Sequence, residues 1–114
     1  MRTIAIKLTQ VYGAAPLDEL LFDTNRYKET IRWTRIVGNV SSGQGCLVRL
    51  FVRVGGTEIL VKQQVQGAAL NSIQAESPLY LTGNYRIGMR ATGADVGSLM
   101  ELSAFGLIED PVTV

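Results

Sequence analysis

The feature that most constrains the fold of this chain is the alternation of apolar and polar residues along much of its length. An apolar residue occupies alternate positions from Ile4 to Leu8, from Val48 to Val54, from Tyr85 to Ala91 and from Met100 to Ala104. Successive side chains of a β-strand point to opposite faces, so a period of two predicts strands with one buried face. No segment of useful length has the helical period. The chain is therefore predicted to be an all-β protein.

Glycine-rich and proline-containing segments divide the chain into seven to eight predicted strands. Gly13–Pro16, Gly38–Gly45 and Gly93–Gly97 interrupt the alternation, and glycine and proline are favoured in turns. A chain of 114 residues is a natural size for one domain, predicted to span residues 1–114. The fold prediction is an antiparallel β-sandwich of jelly-roll or immunoglobulin-like topology, with a small barrel as the alternative.

Two segments are less regular. In a strand predicted from about Tyr27 to Val37, the adjacent apolar residues Ile36 and Val37 break the alternation, which indicates a bulge or a change of sheet near Arg35. The segment Leu17–Phe22 is compatible with a helical turn after Pro16 or with a loop, and its length does not decide between them.

The clearest local prediction is a hairpin whose turn is Gly55-Gly56. Two adjacent glycines supply the positive backbone angles that a two-residue hairpin turn requires. The resulting register places an arginine opposite a glutamate and a phenylalanine opposite a leucine, which are favourable cross-strand pairs. The predicted pairs are Val54–Thr57, Arg53–Glu58, Val52–Ile59, Phe51–Leu60 and Leu50–Val61.

The same hairpin carries the prediction of a protein interface. The residues predicted to fill the core are Val48, Leu50, Val52, Val54, Ile59 and Val61. Alternation then sends large apolar residues and arginines together to the opposite face, a composition favoured at protein interfaces. We expect Phe51→Asp to leave the fold intact and to weaken assembly. The residues predicted to form this interface are Leu47, Arg49, Phe51, Arg53 and Leu60.

The inventory of reactive side chains predicts that the protein is not an enzyme. The chain has no histidine, which removes the commonest general base and the commonest zinc ligand. Its one cysteine, Cys46, begins an apolar strand, where a buried side chain is expected. The adjacent carboxylates Asp18-Glu19 and Glu109-Asp110 lie in predicted loops or near the chain end. No catalytic residue, metal ion or cofactor is predicted.

Charge does not favour a nucleic-acid or membrane partner, because the net charge is only +1. The arginine-rich stretch from Arg26 to Arg53 keeps a nucleic-acid-binding β-domain as an alternative. A carbohydrate-binding or adhesin module is another, if Tyr12, Tyr80 and Tyr85 share an exposed face. The first residues alternate and no apolar run approaches about 20 residues, so neither a signal peptide nor a membrane span is expected.

The run Leu81-Thr82-Gly83-Asn84-Tyr85-Arg86-Ile87-Gly88-Met89 is a turn-then-strand pattern common in β-sandwich modules. With its small size, near neutrality and lack of histidine, the chain as a whole resembles the small decoration (cement) proteins of tailed-phage heads. The resemblance implies a virion structural protein that assembles in the host cytoplasm. It further implies a homo-oligomer, commonly a trimer, that binds a major coat protein and stabilises the head surface.

Overall fold

The computed structural model describes residues 2–23, 31–41, 45–67, 72–76, 79–81 and 85–108. Its regular elements are all strands, as the alternation predicted. In chain order they are β1 (Arg2–Val11), β2 (Glu19–Asp23), β3 (Ile31–Val40), β4 (Leu47–Val54), β5 (Thr57–Val65), β6 (Ile73–Ala75), β7 (Leu79–Leu81), β8 (Tyr85–Thr92) and β9 (Leu99–Ile108).

The strands form two antiparallel sheets packed as a sandwich. The β1 sheet has the order β1-β9-β3-β6, with β7 also paired to β3, and the β2 sheet has the order β2-β8-β4-β5. Because β6 and β7 pair with different parts of β3, they share one strand position, which makes eight positions in all. Every connection changes sheet except the β4–β5 hairpin and the β6–β7 link. This is the jelly-roll topology, one of the two predicted.

The inner faces of the two sheets meet in one apolar core. Trp33 is completely buried, and its indole N–H donates a hydrogen bond of 2.8 Å to the hydroxyl of Tyr85. Phe22 meets the Trp33 ring edge to face at a centroid distance of 6.3 Å. The hydrogen bond between Trp33 and Tyr85 gives a partner to the polar group of each side chain, which offsets the cost of burying those groups. Other completely buried residues of the core include Ile31, Leu50, Ile73, Ile87, Met89 and Leu102.

The β4–β5 hairpin has the predicted register near its turn. Gly55 has a φ of 60°, which glycine adopts without strain. The predicted pairs Val54–Thr57, Arg53–Glu58, Val52–Ile59 and Phe51–Leu60 are all present. The predicted pair Leu50–Val61 is wrong, because the register shifts after Phe51 and Leu50 pairs with Lys62. Val61 is therefore the extra residue of a β-bulge.

The predicted core set of this hairpin is only partly correct. Val48, Leu50 and Val52 are buried, and Val61 packs against the core from a half-buried position. Val54 and Ile59 are 43% and 53% exposed. The reason is position, since β5 is the last strand of its sheet and the neighbouring strand of the facing sheet, β6, has only three residues. An apolar residue at such an edge is left partly uncovered.

The structure shows what the two less regular segments of the sequence form. The β3–β9 register shifts between Trp33 and Arg35, so the predicted bulge is confirmed. β3 runs on to Val40, whereas the start predicted at Tyr27 lies outside the described residues. Most of the undecided segment Leu17–Phe22 belongs to β2, so it is neither a helical turn nor a simple loop.

A buried glutamine joins the two sheets at the end where β5 finishes. The Gln66 side chain accepts a hydrogen bond from the Val40 N–H at 3.0 Å and donates one to the Val40 carbonyl at 2.6 Å. Its own backbone groups bond to Gly45 and Cys46. Gln66 is only 5% exposed, so these bonds replace water for the buried polar groups at the end of β3.

Candidate interaction surface

The five residues predicted to form an interface lie on the outer face of the β2 sheet. Val48, Leu50 and Val52 point into the core, and the residues that alternate with them on β4 therefore point outward. Leu60 joins that face from β5 as the partner of Phe51. The structure thus brings together Leu47, Arg49, Phe51, Arg53 and Leu60.

Phe51 occupies the centre of this face, but its side chain is completely covered. Its ring lies across Gly88, where an added Cβ would stand only 2.5 Å from the Phe51 ring, and Leu21 flanks the same spot. The guanidinium carbons of Arg53 and Arg90 lie 5.3 and 5.1 Å from the ring centroid, within the range of cation–π contacts.

This covering corrects the expectation for Phe51. The ring has no exposed surface in the isolated chain, so any contact at its centre would be made by the arginines above it. An aspartate in its place would remove a buried ring that fills the space between Gly88 and Leu21. Phe51→Asp therefore disturbs the sheet itself, and it is not a clean probe of assembly.

Above Phe51 four charged residues, one from each strand of the β2 sheet, form a closed cycle of ion pairs. Arg53 lies 3.1 Å from a carboxylate oxygen of Glu19 and 3.1 Å from one of Glu58. Arg90 lies 2.9 Å from Glu58 and also contacts Glu19 closely. We call Glu19, Arg53, Glu58 and Arg90 the charge cycle. It is neutral overall and ties all four strands together on the solvent side.

The cycle changes the acidity of its members. Burial by itself would raise the pKa of Glu19, but hydrogen bonds from Arg90 and Arg53 outweigh it and hold that pKa below the usual 4.5. The pKa of Glu58 is lowered chiefly by the hydrogen bond from Arg90. The same bonds raise the pKa values of both arginines. All four groups are therefore charged at neutral pH.

Sequence reasoning missed Glu19 and Arg90 as parts of this surface. The sequence shows Glu19 only as one of two adjacent carboxylates, and the alternation from Tyr85 to Ala91 indicates for Arg90 only that it lies on the face opposite those apolar residues. They meet because β2 pairs with β8, with Glu19 directly opposite Arg90. A pairing between strands so far apart in the chain leaves no local signal.

Beside this face, the edge strand β5 exposes a row of large aliphatic side chains. Ile59 is 53%, Leu60 55% and Val65 56% exposed, and Val54 at the hairpin turn is 43% exposed. Within the described residues β5 pairs only with β4, so its other backbone edge is open. Long apolar edges of this kind favour pairing or association with another chain.

The residues considered for other functions are placed less favourably. Trp33 and Tyr85 are buried in the core and bonded to each other, so neither belongs to an exposed sugar-binding platform. Tyr12 is half-buried, and the side chain of Tyr80 lies outside the described residues. The arginines divide between the two sheets, with Arg32 and Arg35 on β3 and Arg49 and Arg53 on β4.

Cys46 is completely buried, and burial raises the pKa of its thiol, which makes it a poor nucleophile. In the described part of the chain no three histidine, cysteine, aspartate or glutamate side chains are grouped to hold a metal ion. The pair Glu109-Asp110 lies outside that part. Among the described residues no helix is long and apolar enough to cross a membrane.

The outer face of the β1 sheet carries an open groove of about 500 Å³. Arg35 stacks over Phe105 beside it, with the guanidinium carbon 4.6 Å from the ring centroid. The lining offers small and apolar side chains and no acid–base pair. Its residues are Thr3, Ile4, Ala5, Thr34, Phe105, Gly106 and Leu107.

No protein-family model matches this sequence, and no curated protein matches it. Among solved structures, the chain is similar to a chain of the acid-stable capsid of the Helicobacter pylori bacteriophage KHP30. The TM-score is 0.62 at 10% identity, and the alignment covers 91% of this chain and 86% of that one.

It is also similar to the Drosophila NLP core, whose structure concerns pentamer formation and histone binding. There the TM-score is 0.56 at 10% identity, with 96% and 100% of the two chains covered. At such identities the likeness concerns the fold alone, and the two chains are of nearly the same size as this one.

Proposed function

We propose that this protein is a virion structural component, a capsid decoration (cement) protein that acts as a homo-oligomer on a major coat protein. The observation that carries the proposal is the surface of the β2 sheet, where exposed aliphatic residues of β5 border an outer face of leucine and arginine. The shared fold with a capsid chain of similar length supports the same role.

The outer face of the β2 sheet is suited to contact a coat protein. Leu47 supplies apolar surface, and Arg49 supplies a partly exposed charge whose Nε donates to Gln63 at 2.7 Å. The charge cycle is neutral and internally bonded, so covering it leaves no unpaired charge, which is the costly outcome in a buried contact. Its arginines keep further N–H groups for acceptors on a partner.

Two alternatives are less well supported. A sugar-binding module would need exposed aromatic residues, yet Trp33 and Tyr85 are buried. A nucleic-acid binder would need a continuous basic stripe, yet Arg53 is neutralised by Glu19 and Glu58 and the β3 arginines belong to the other sheet. The coat-binding proposal requires neither feature.

The first test asks whether the protein is part of a particle. Virus particles from the source of the sequence would be purified by density gradient and examined by mass spectrometry and electron cryomicroscopy. We expect the chain in stoichiometric amounts, with jelly-roll density on the outside of the shell. Its absence from purified particles would overturn the proposal.

The second test locates the contact. The variant Leu47→Ala/Arg49→Ala removes an apolar and a charged side chain from the outer face of the β2 sheet, and we expect at least a tenfold loss of affinity for particles stripped of the protein, the roughly 1.4 kcal/mol that one lost interface contact can supply. Arg35→Ala, which removes an arginine from the other sheet, is the matched control. Equal binding by the two variants would exclude this face as the contact.

A further inference from the structure

The large aliphatic side chains exposed by the described residues fall into two groups. The first, the β5 patch, consists of Val54, Ile59, Leu60 and Val65. The second, the β1 patch, consists of Val11, Leu17, Val96 and Leu99, which are 57%, 52%, 81% and 39% exposed.

The β1 patch is held together by pairing and by loop hydrogen bonds. Val11 at the end of β1 is the cross-strand partner of Leu99. The loop that carries Val96 is fastened to β1 by hydrogen bonds of 2.9 and 2.7 Å between the backbones of Gly97 and Ser98 and that of Tyr12. The turn that carries Leu17 folds back onto Gly13 through a 3.1 Å backbone bond. These bonds hold the segments that carry the four residues next to one another at the end of β1.

The two patches lie at opposite lateral edges of the sandwich. β1 is the first strand of its sheet and packs beside β2, whereas β5 is the last strand of the other sheet and packs beside β6. The breadth of both sheets separates the patches. Each also borders an open strand edge, because within the described residues β1 pairs only with β9 and β5 only with β4.

The patches differ in the sign of the charge around them. Because the charge cycle is neutral, the charges left around the β5 patch are those of Arg49 and Lys62. Residues 11–19 and 92–101, which form the β1 patch, carry no lysine or arginine. Glu19 belongs to the charge cycle and Glu101 lies 3.5 Å from Lys7, so the negative charges left around this patch are those of Asp18, which is half-buried, and Asp95, which is exposed. An isologous contact between two β5 patches or two β1 patches would bring like charges together, whereas a contact of one patch with the other pairs opposite charges.

We infer that copies of this chain join edge to edge, with the β5 patch of one copy against the β1 patch of the next. Such a contact is heterologous, so an open chain of copies has one free patch at each end until the assembly closes as a ring. Closure covers both apolar patches and both open strand edges of every copy. The inference rests on the homo-oligomer in the proposed function and specifies how its subunits meet.

The test uses two variants that each give one patch a charge of the same sign as the patch it would contact. Ile59→Asp places a negative charge in the β5 patch, which would face the acidic β1 patch, and Val96→Lys places a positive charge in the β1 patch, which would face the basic β5 patch. Thr3→Lys, at the far end of β1 from Val11, adds the same charge as Val96→Lys outside both patches and is the matched control. Circular dichroism would confirm that each variant is folded.

We expect the wild type and Thr3→Lys to be oligomers of one size in sedimentation and native mass spectrometry. Each patch variant alone should be a monomer. An equimolar mixture should form a dimer containing one copy of each, because Val96→Lys keeps an intact β5 patch and Ile59→Asp an intact β1 patch. The dimer lacks ring closure and is weaker than the ring, so the mixture is measured over a concentration series.

A second measurement captures a weak contact covalently. Ile59→Cys and Val96→Cys would be oxidised alone and as a mixture, and we expect a disulfide-linked dimer only from the mixture. The native Cys46 is completely buried and does not compete. Both measurements distinguish heterologous contacts from isologous ones.

Three results would overturn the inference: a monomeric wild type, a patch variant that still assembles alone as the wild type does, or monomers that neither dimerise nor cross-link when mixed. These failures are separable from failure of the proposed function. A monomer that decorates particles refutes the ring and leaves the coat-binding role. A protein that forms the ring but is absent from every particle refutes the coat-binding role and leaves the inferred subunit contact.

Discussion

Gly88 on β8 offers a direct test of the packing beneath the charge cycle. An alanine Cβ at this position would stand 2.5 and 2.6 Å from two ring atoms of Phe51 and 2.8 Å from a methyl carbon of Leu21. Real Cβ atoms essentially never approach so closely, and Phe51 is held from above by Arg53 and Arg90. Gly88→Ala therefore forces the ring away from its place between the strands.

We expect Gly88→Ala to lower the free energy of unfolding by about 1–3 kcal/mol, the usual cost of adding a methyl group to filled space. For a domain of this size that corresponds to a fall in melting temperature of roughly 4 °C per kcal/mol. Gly56→Ala is the matched control, because a Cβ there meets nothing within 4 Å. It should change stability by less than about 0.5 kcal/mol.

The assay is urea denaturation followed by tryptophan fluorescence, at one protein concentration because assembly would add to apparent stability. Phe51→Leu lacks the two ring atoms that the new methyl group would meet. In a double-mutant cycle it should relieve part of the Gly88→Ala cost, with a coupling of at least about 0.5 kcal/mol. If Gly88→Ala is as stable as Gly56→Ala, or if the two substitutions are additive, the packing described for Phe51 is incorrect.

Three further predictions concern single residues. Gln66→Ala should cost about 2 kcal/mol or more, because it leaves a buried N–H and carbonyl of β3 without partners; protection of the Val40 amide in hydrogen exchange should fall, and unchanged protection would contradict the role of the bond. The lowered pKa values of Glu19 and Glu58 mean that their contribution to stability is full above about pH 4.5 and is lost as the pH falls through the lowered values. The double variant Glu19→Gln/Glu58→Gln should be less stable than the wild type at pH 7, and its stability should fall less between pH 5 and about pH 2; a parallel fall would refute the coupling. Gly55→Val should cost about 1–3 kcal/mol because Gly55 has a φ of 60°, whereas Gly56→Val should cost less in the same urea denaturation, and equal costs would contradict the turn geometry.

Features encoded by neighbouring residues could be predicted from the sequence. The period of two identified an all-β chain, because side-chain direction in a strand depends only on position along that strand. The turn at Gly55-Gly56 set the Arg53–Glu58 and Phe51–Leu60 pairs, since a two-residue turn fixes the register next to it. The adjacent apolar residues after Arg35 indicated the bulge in β3 for the same local reason.

Features that depend on which strands become neighbours required the tertiary structure. Jelly-roll and immunoglobulin-like sandwiches have similar alternation, and only the strand order distinguishes them. The same order makes β5 an edge, which leaves Ile59 exposed although its position in the alternation is that of a core residue. It also places Glu19 beside Arg90, closes the charge cycle and covers Phe51. Alternation in the sequence predicts on which face of a strand a side chain lies. Whether that side chain is buried depends on what packs against the face, and the packing partners are residues distant in the chain.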